Sequence, residues 1–244
     1  MTYGVGLRLN RGLVFMSDTR TNAGLDDIST YRKMFNWCVP GDRTITMLTA
    51  GNLATTQAVV GLLNERVKAP EDRNPSILEA ETMFQVAQLV GTTLREVVAL
   101  QQGEGQNATS TFNATVIVGG QIGSMEPRMF MVYPEGNFIE TSRDTQFLQI
   151  GETKYGRPIL VRAYDPEMTF EEAVKLLIVS FDSTIKANLS VGMPLDVMVY
   201  ETDSLTTGIE RRIEIADPYF AKVSQGWGHA LRDAFEVLPD FSFD

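Results

Sequence analysis

Thr2 follows Met1 and opens directly into a strand-like run, Tyr3 to Leu9. Threonine is small enough for ordinary cytosolic processing to remove the methionine. The new terminal residue then carries both a hydroxyl and a free α-amine. An α-amine titrates at about 7.7–8.0, so part of it is neutral at cell pH. One residue can therefore supply a nucleophile and its own general base. Three residues downstream extend this chemistry. Asp18 ends the second strand-like run in Met16-Ser-Asp-Thr-Arg20, Lys33 precedes the third in Tyr31-Arg-Lys-Met34, and Gly51 follows the fourth in Thr49-Ala-Gly-Asn52. An ammonium beside a threonine hydroxyl eases loss of its proton, and a carboxylate holds that ammonium in place. A glycine at a strand-to-helix turn can aim its N–H at a developing oxyanion. Plainer readings stand beside these. Asp18 and Lys33 would also suit a surface ion pair worth about 0–1 kcal/mol. Gly51 would also relieve a tight turn.

The elements that must position these groups follow from periodicity. Tyr3–Leu9 and Gly12–Ser17 flank an Asn10-Arg11-Gly12 turn, and Met34–Val39 and Thr44–Leu48 flank Pro40-Gly41-Asp42. The segment Asp18 to Tyr31 between the pairs is polar and reads as a loop. If the four strands pair as successive hairpins, Thr2 and Lys33 lie on neighbouring strands and Asp18 reaches Lys33 from a strand end. A helical pattern runs from about Leu53 to Val67. Pro70 and Pro75 bound a polar linker, and Ser76-Ile-Leu-Glu79 reads as a capping box opening a second helix to about Gln102. A Gly- and Gln-rich loop, Gln102–Ser110, ends it.

Strands return at Ala114–Val118, Met129–Tyr133, Phe138–Glu140 and Phe147–Ile150. A short helix is expected near Pro158–Tyr164. A Thr169-Phe-Glu-Glu172 capping box opens another helix to about Ala187. Leu195–Glu201 and Gly208–Glu214 read as a closing strand pair, and Asp217-Pro218 supplies the cap and first-turn proline of a last helix. Blocks of hairpins separated by helix pairs suit antiparallel sheets covered by helices, an α+β arrangement. No linker is long enough to divide the chain, so one domain is expected over 1–244.

Composition narrows the function classes. The chain has 244 residues, 43% hydrophobic and 21% charged, an ordinary soluble profile. Its net charge of −10 argues against nucleic acid or an anionic membrane as the main partner. The single cysteine, Cys38, leaves no internal disulfide and no cysteine-rich zinc site, and packs best as a small core group. A histidine-dependent triad would have to use the single histidine, His229, which falls in the last helical pattern and reads as a helix-surface or packed residue. Arg8, Asn10, Arg11 and Asp18 interrupt any signal-peptide core, and no stretch reaches transmembrane length. A cytoplasmic protein is expected. The Asn107-Ala-Thr109 and Asn113-Ala-Thr115 sequons are then chance matches.

Thr2, Ser17-Asp18-Thr-Arg20, Lys33 and Thr49-Ala50-Gly51, in this order and spacing, resemble the motif set of proteasome-type β subunits and the related bacterial HslV peptidases. Gly6 through Gly24 and Ile150-Gly-Glu-Thr-Lys-Tyr-Gly156 are most similar to Anbu, the bacterial ancestral β-subunit group. The resemblance covers essentially the whole chain. It implies a four-layer αββα sandwich of the N-terminal-nucleophile hydrolase class and a self-compartmentalising homo-oligomer, ring or open helix, that cleaves peptide or amide bonds without metal or organic cofactor. It makes Thr2 the nucleophile, Lys33 the group that lowers its pKa, Asp18 the residue orienting Lys33, and the Gly51 N–H the oxyanion donor. Ser190, in Asn188-Leu-Ser-Val-Gly192, matches a serine supporting the terminal amine, and Thr21, Thr49 and Leu53 fall where a substrate pocket would be lined. The chain also departs from the pattern. The Thr2–Lys33 spacing is one residue short, Glu152 replaces the serine that follows the glycine at 151, and Ala187 replaces an aspartate three residues before Ser190. These changes alter the network on the amine side. They leave two further readings open: a homo-oligomeric scaffold or binding compartment with little hydrolytic activity, and an amide-transfer or processing enzyme for one conjugate.

Overall fold

The structure, a computed structural model, describes residues 2–22, 28–68, 75–103 and 112–243. Its strands and helices follow in the order β1 (Tyr3–Leu9), β2 (Gly12–Asp18), β3 (Arg20–Asn22), β4 (Ile28–Thr30), β5 (Met34–Val39), β6 (Arg43–Gly51), α1 (Leu53–Lys68), α2 (Met83–Gly103), β7 (Ala114–Ile122), β8 (Arg128–Val132), β9 (Phe138–Glu140), β10 (Phe147–Gly151), α3 (Arg157–Ala163), α4 (Phe170–Ala187), β11 (Leu195–Glu201), β12 (Ile209–Ile213) and α5 (Pro218–Glu236). One antiparallel sheet has the order β10-β1-β2-β11-β12, and a second the order β5-β6-β7-β8-β9. A short ribbon pairs β3 with β4.

Strand alternation divides the interior into three cores. In β1 and β2, Tyr3, Val5, Leu7, Val14 and Met16 face the helices and pack with Leu160 of α3 and Leu177 and Phe181 of α4. Leu13 and Phe15 face the other way and meet Leu48, Ala50, Ile117 and Met129 of the opposite sheet. On that sheet's outer side, Ile45, Met47, Val116 and Val118 pack with Val59, Val60 and Leu63 of α1 and with Val86 and Val90 of α2. The layers are therefore α, β, β, α. Burying a large apolar side chain on any of these faces contributes about 1.5–3 kcal/mol, and the central strands β1, β2, β6 and β7 are buried on both faces.

The helix ends show where local chemistry sets the boundaries. Thr169 and Glu172 form the expected reciprocal capping box of α4, and Asp217 caps α5 by accepting from the Tyr219 and Phe220 N–H groups. The second helix starts later than its first capping signal. Ser76 Oγ accepts from the Leu78 N–H within a turn that buries Ile77, and α2 begins at Met83. Its start uses Thr82, whose Oγ1 accepts from the Gln85 N–H while Gln85 accepts from the Glu81 N–H.

The segment expected as a loop from Asp18 to Tyr31 contains the β3–β4 ribbon. Cys38 lies half-buried on β5 rather than in a core, and His229 is exposed on α5. Pro70, the greater part of the Gln102–Ser110 loop and the Asn107 sequon lie outside the described residues. Among the described residues no helix is long and apolar enough to cross a membrane.

Candidate active site

Thr2 is buried at the head of β1, where the strand enters the sandwich. Its carbonyl accepts from the Glu152 N–H at 2.7 Å, just past β10. Gly151 makes this approach possible. Its φ is +80°, and a Cβ there would sit 1.9 Å from the Thr2 carbonyl oxygen, so any side chain at 151 would push residue 2 away.

Asp18 ends β2 with its carboxylate fully enclosed. Oδ1 accepts from the Tyr3 N–H at 3.1 Å and from Lys33 Nζ at 2.9 Å, and Oδ2 accepts from the Gly192 N–H at 3.3 Å. The Lys33 and Asp18 side chains are 6% and 0% exposed, which removes the surface ion-pair reading. Lys33 also donates to the Arg20 carbonyl. Its own carbonyl accepts from the Thr49 N–H at 2.9 Å, so β6 fixes its backbone and Asp18 fixes its ammonium. Burial is the largest influence on both groups: it pulls the Lys33 pKa below the usual lysine value and pushes Asp18 up. The ion pair opposes both shifts, and the Tyr3 and Gly192 N–H groups favour the ionised carboxylate.

Thr2 and Lys33 do not occupy neighbouring strands. Thr2 leads into β1, whose partners are β10 and β2. Lys33 leads into β5 of the facing sheet. The two residues therefore border one cavity from facing sheets instead of lying along one sheet.

Thr2, Thr21, Lys33, Thr49, Gly51 and Leu53 line one cavity of about 350 Å³. The three residues expected at a substrate pocket, Thr21, Thr49 and Leu53, thus share a cavity with Thr2 and Lys33. Backbone N–H groups of a strand alternate in direction. The Thr49 N–H points to Lys33, so two residues on the Gly51 N–H faces the same edge. There the adjacent chain has turned off to bond Tyr31 N–H to the Thr19 carbonyl, and Gly51 borders the cavity. Asn52 accepts from the Thr55 N–H and opens α1 immediately after.

Ser190 is half-buried behind this arrangement. Its N–H donates to Asn188 Oδ1 at 2.9 Å, and Asn188 Nδ2 donates to Glu152 Oε2 at 2.9 Å. A chain of contacts therefore joins Ser190 to the residue that holds Thr2. Asn188 and the backbone donors Tyr3 and Gly192 were not singled out by sequence. A backbone donor has no side-chain signature, although Asn188 and Gly192 bound the motif around Ser190.

Comparison with known proteins agrees with this geometry. The family model described as Proteasome subunit matches residues 2–199. Proteasome subunit beta 2 of Pyrobaculum neutrophilum is 25% identical over 199 residues, covering 81% of this chain and 87% of that protein. The solved structure of Anbu (ancestral beta-subunit) from Yersinia bercovieri is similar at 43% identity and a TM-score of 0.92, covering 99% of this chain and 100% of that one. The helical assembly of the Anbu complex from Pseudomonas aeruginosa is similar at 44% identity and a TM-score of 0.93, covering 99% and 98%. An ordered set of four motifs, a four-layer sandwich and matches of this extent converge: the chain belongs to the proteasome subunit family, in its Anbu group.

Proposed function

We propose that this chain is a threonine-type N-terminal-nucleophile hydrolase, one unit over 1–244, that cleaves peptide or other amide bonds inside a cytoplasmic assembly of identical subunits. The observation that carries this reading is the convergence of Thr2, Lys33 and Gly51 on one cavity, with the sealed Asp18–Lys33 pair behind it. Lysine has three N–H donors. Two are directed at Asp18 and the Arg20 carbonyl, leaving one for Thr2 Oγ.

After removal of Met1, the neutral α-amine of Thr2 accepts the Oγ proton as Oγ attacks the substrate carbonyl. Lys33 stabilises the developing alkoxide, and the Gly51 N–H donates to the tetrahedral oxyanion. Collapse breaks the C–N bond, and the amine's proton passes to the leaving nitrogen. Water, deprotonated by the same amine, then attacks the acyl-ester and releases acid and free Thr2. Ser190 supports the amine through the Asn188–Glu152 link.

Self-assembly has two supports. A similar Anbu protein forms a helical assembly. This chain also exposes Leu231, Phe235, Leu238, Phe241 and Phe243 in its C-terminal part, a run of apolar side chains unusual for a monomer. A scaffold with little hydrolysis is the second reading, favoured by the departures at Glu152 and Ala187.

The test is amine release from a library of peptide amides, using assembled protein whose intact mass lacks Met1. The proposal expects turnover that disappears in Thr2→Ala. Equal turnover in Thr2→Ala would remove Thr2 from the mechanism; no turnover in the processed protein, or full retention of Met1 in protein from its own cell, would support the scaffold.

A further inference from the structure

Glu152 is 8% exposed, and among the described residues its carboxylate makes one hydrogen bond, to the neutral amide of Asn188. No cation among those residues pairs with it. A buried carboxylate in that state is costly unless a positive charge joins it. One source lies in the residue that the Glu152 backbone holds. The Glu152 N–H holds the Thr2 carbonyl at 2.7 Å, and the Thr2 nitrogen is on the next backbone atom but one. In the unprocessed chain that nitrogen is a neutral amide. Removal of Met1 turns it into an ammonium one residue from the Tyr3 N–H, which shares Asp18 with the Gly192 N–H of the loop that holds the Glu152 carboxylate through Asn188.

We propose that Glu152 is the counter-ion of the Thr2 α-ammonium and thereby sets the pH at which this site becomes active. The inference rests on the functional reading above and adds a charge partner to it. An opposite charge at close range favours the protonated amine and raises its pKa. The amine acts as a base only when neutral, so Glu152 holds the nucleophile in reserve at neutral pH and releases it as pH rises. The other charged groups around the amine are Lys33 from the segment before β5, Asp18 from the end of β2, and Arg20 from β3. Asp18 is already engaged by Lys33, and Arg20 donates to the Leu189 carbonyl at 3.1 Å across Gly192. Lys33 and Arg20 act against protonation of the amine, and Glu152 acts for it.

The test uses full-length chain released to begin at Thr2 by cleavage of an N-terminal fusion. Competitive acetylation of the α-amine, read by peptide mass spectrometry across pH 5–10, gives its titration midpoint. Glu152→Gln keeps an acceptor for Asn188 and removes only the charge. It should lower the midpoint by about one unit or more, leaving roughly tenfold more neutral amine at pH 7 and faster reaction of Thr2 with a threonine-directed electrophile there. Asn188→Ala, which removes a neutral contact, should shift the midpoint far less. If Glu152→Gln does not assemble, Glu152→Ser takes its place with the same expectation. An unchanged midpoint in the charge-free variant overturns the proposal, even if Thr2 labelling continues and the hydrolase reading stands. A lowered midpoint with no labelling at any pH upholds the counter-ion and sinks the hydrolase instead.

Discussion

Lys33 reaches Asp18 from the opposite sheet: Nζ stands 2.9 Å from Oδ1, with the two side chains 6% and 0% exposed. The pair ties the two sheets together beneath Thr2. It also fixes a positive charge at the wall of the Thr2 cavity, so in the proposed mechanism stability and chemistry share one contact.

Lys33→Ala therefore has two expected effects. It leaves Asp18 as an enclosed charge without a cation, at a cost of about 3–5 kcal/mol, and it abolishes Thr2 labelling. Urea unfolding of the variant measures the first, and electrophile labelling the second. A Lys33→Ala, Asp18→Ala double variant should recover much of the stability and stay unlabelled. Such recovery would mean that the two losses come from different roles of the same lysine.

Labelling should also fall on the alkaline side. Burial pulls the Lys33 pKa below 10.5 and Asp18 holds it up. As pH rises through the folded value the ammonium is lost, so the rate declines earlier than an ordinary lysine would dictate. Asp18→Asn removes the supporting charge, and the decline should move to lower pH still. A pH series of labelling rates checks the direction. A shift toward higher pH would contradict it.

Gly151→Ala should displace Thr2 from a position outside the cavity lining. A Cβ there meets the Thr2 carbonyl oxygen, on a backbone with φ +80°. The strain is of order 1–3 kcal/mol, and under the proposed mechanism displacement of Thr2 by about 1 Å costs on the order of a hundredfold in rate. Thermal unfolding and labelling kinetics measure the two parts.

Tyr3 gives a separate stability prediction. Burial raises its pKa to about 12. The raised value means that its contribution is complete below about pH 10 and is lost as pH climbs to about 12, roughly 2–3 kcal/mol in all. Its hydroxyl bonds Ser180 at 2.8 Å and Gln149 at 2.6 Å. Tyr3→Phe should therefore cost about 1–3 kcal/mol at pH 8 and flatten the alkaline loss. Denaturant midpoints at pH 8 and pH 11 for both proteins decide this.

Much of this was legible in the chain. The strand pairs around Asn10-Arg11-Gly12 and Pro40-Gly41-Asp42 follow from alternation and turn chemistry, and β1–β2 and β5–β6 form as antiparallel pairs. Periodicity does not say which sheet a hairpin joins, so the crossing that brings Lys33 from the facing sheet was not readable. The start of α2 shows a related limit. Ser76–Glu79 and Thr82–Gln85 carry equivalent capping signals, and burial of Ile77 in a turn gives the helix to the second. At the site, the side chains Thr2, Asp18 and Lys33 announced themselves by type. The N–H groups of Tyr3 and Gly192 that hold Asp18 could not, because every residue but proline has one.

The most direct measurement maps a threonine-directed electrophile onto the assembled protein by peptide mass spectrometry. One adduct per subunit is expected, on a peptide that begins at Thr2, absent from Thr2→Ala and from Lys33→Ala. An adduct elsewhere that survives in Thr2→Ala, or no adduct on a chain that does begin at Thr2, would contradict the assignment of Thr2 as the nucleophile.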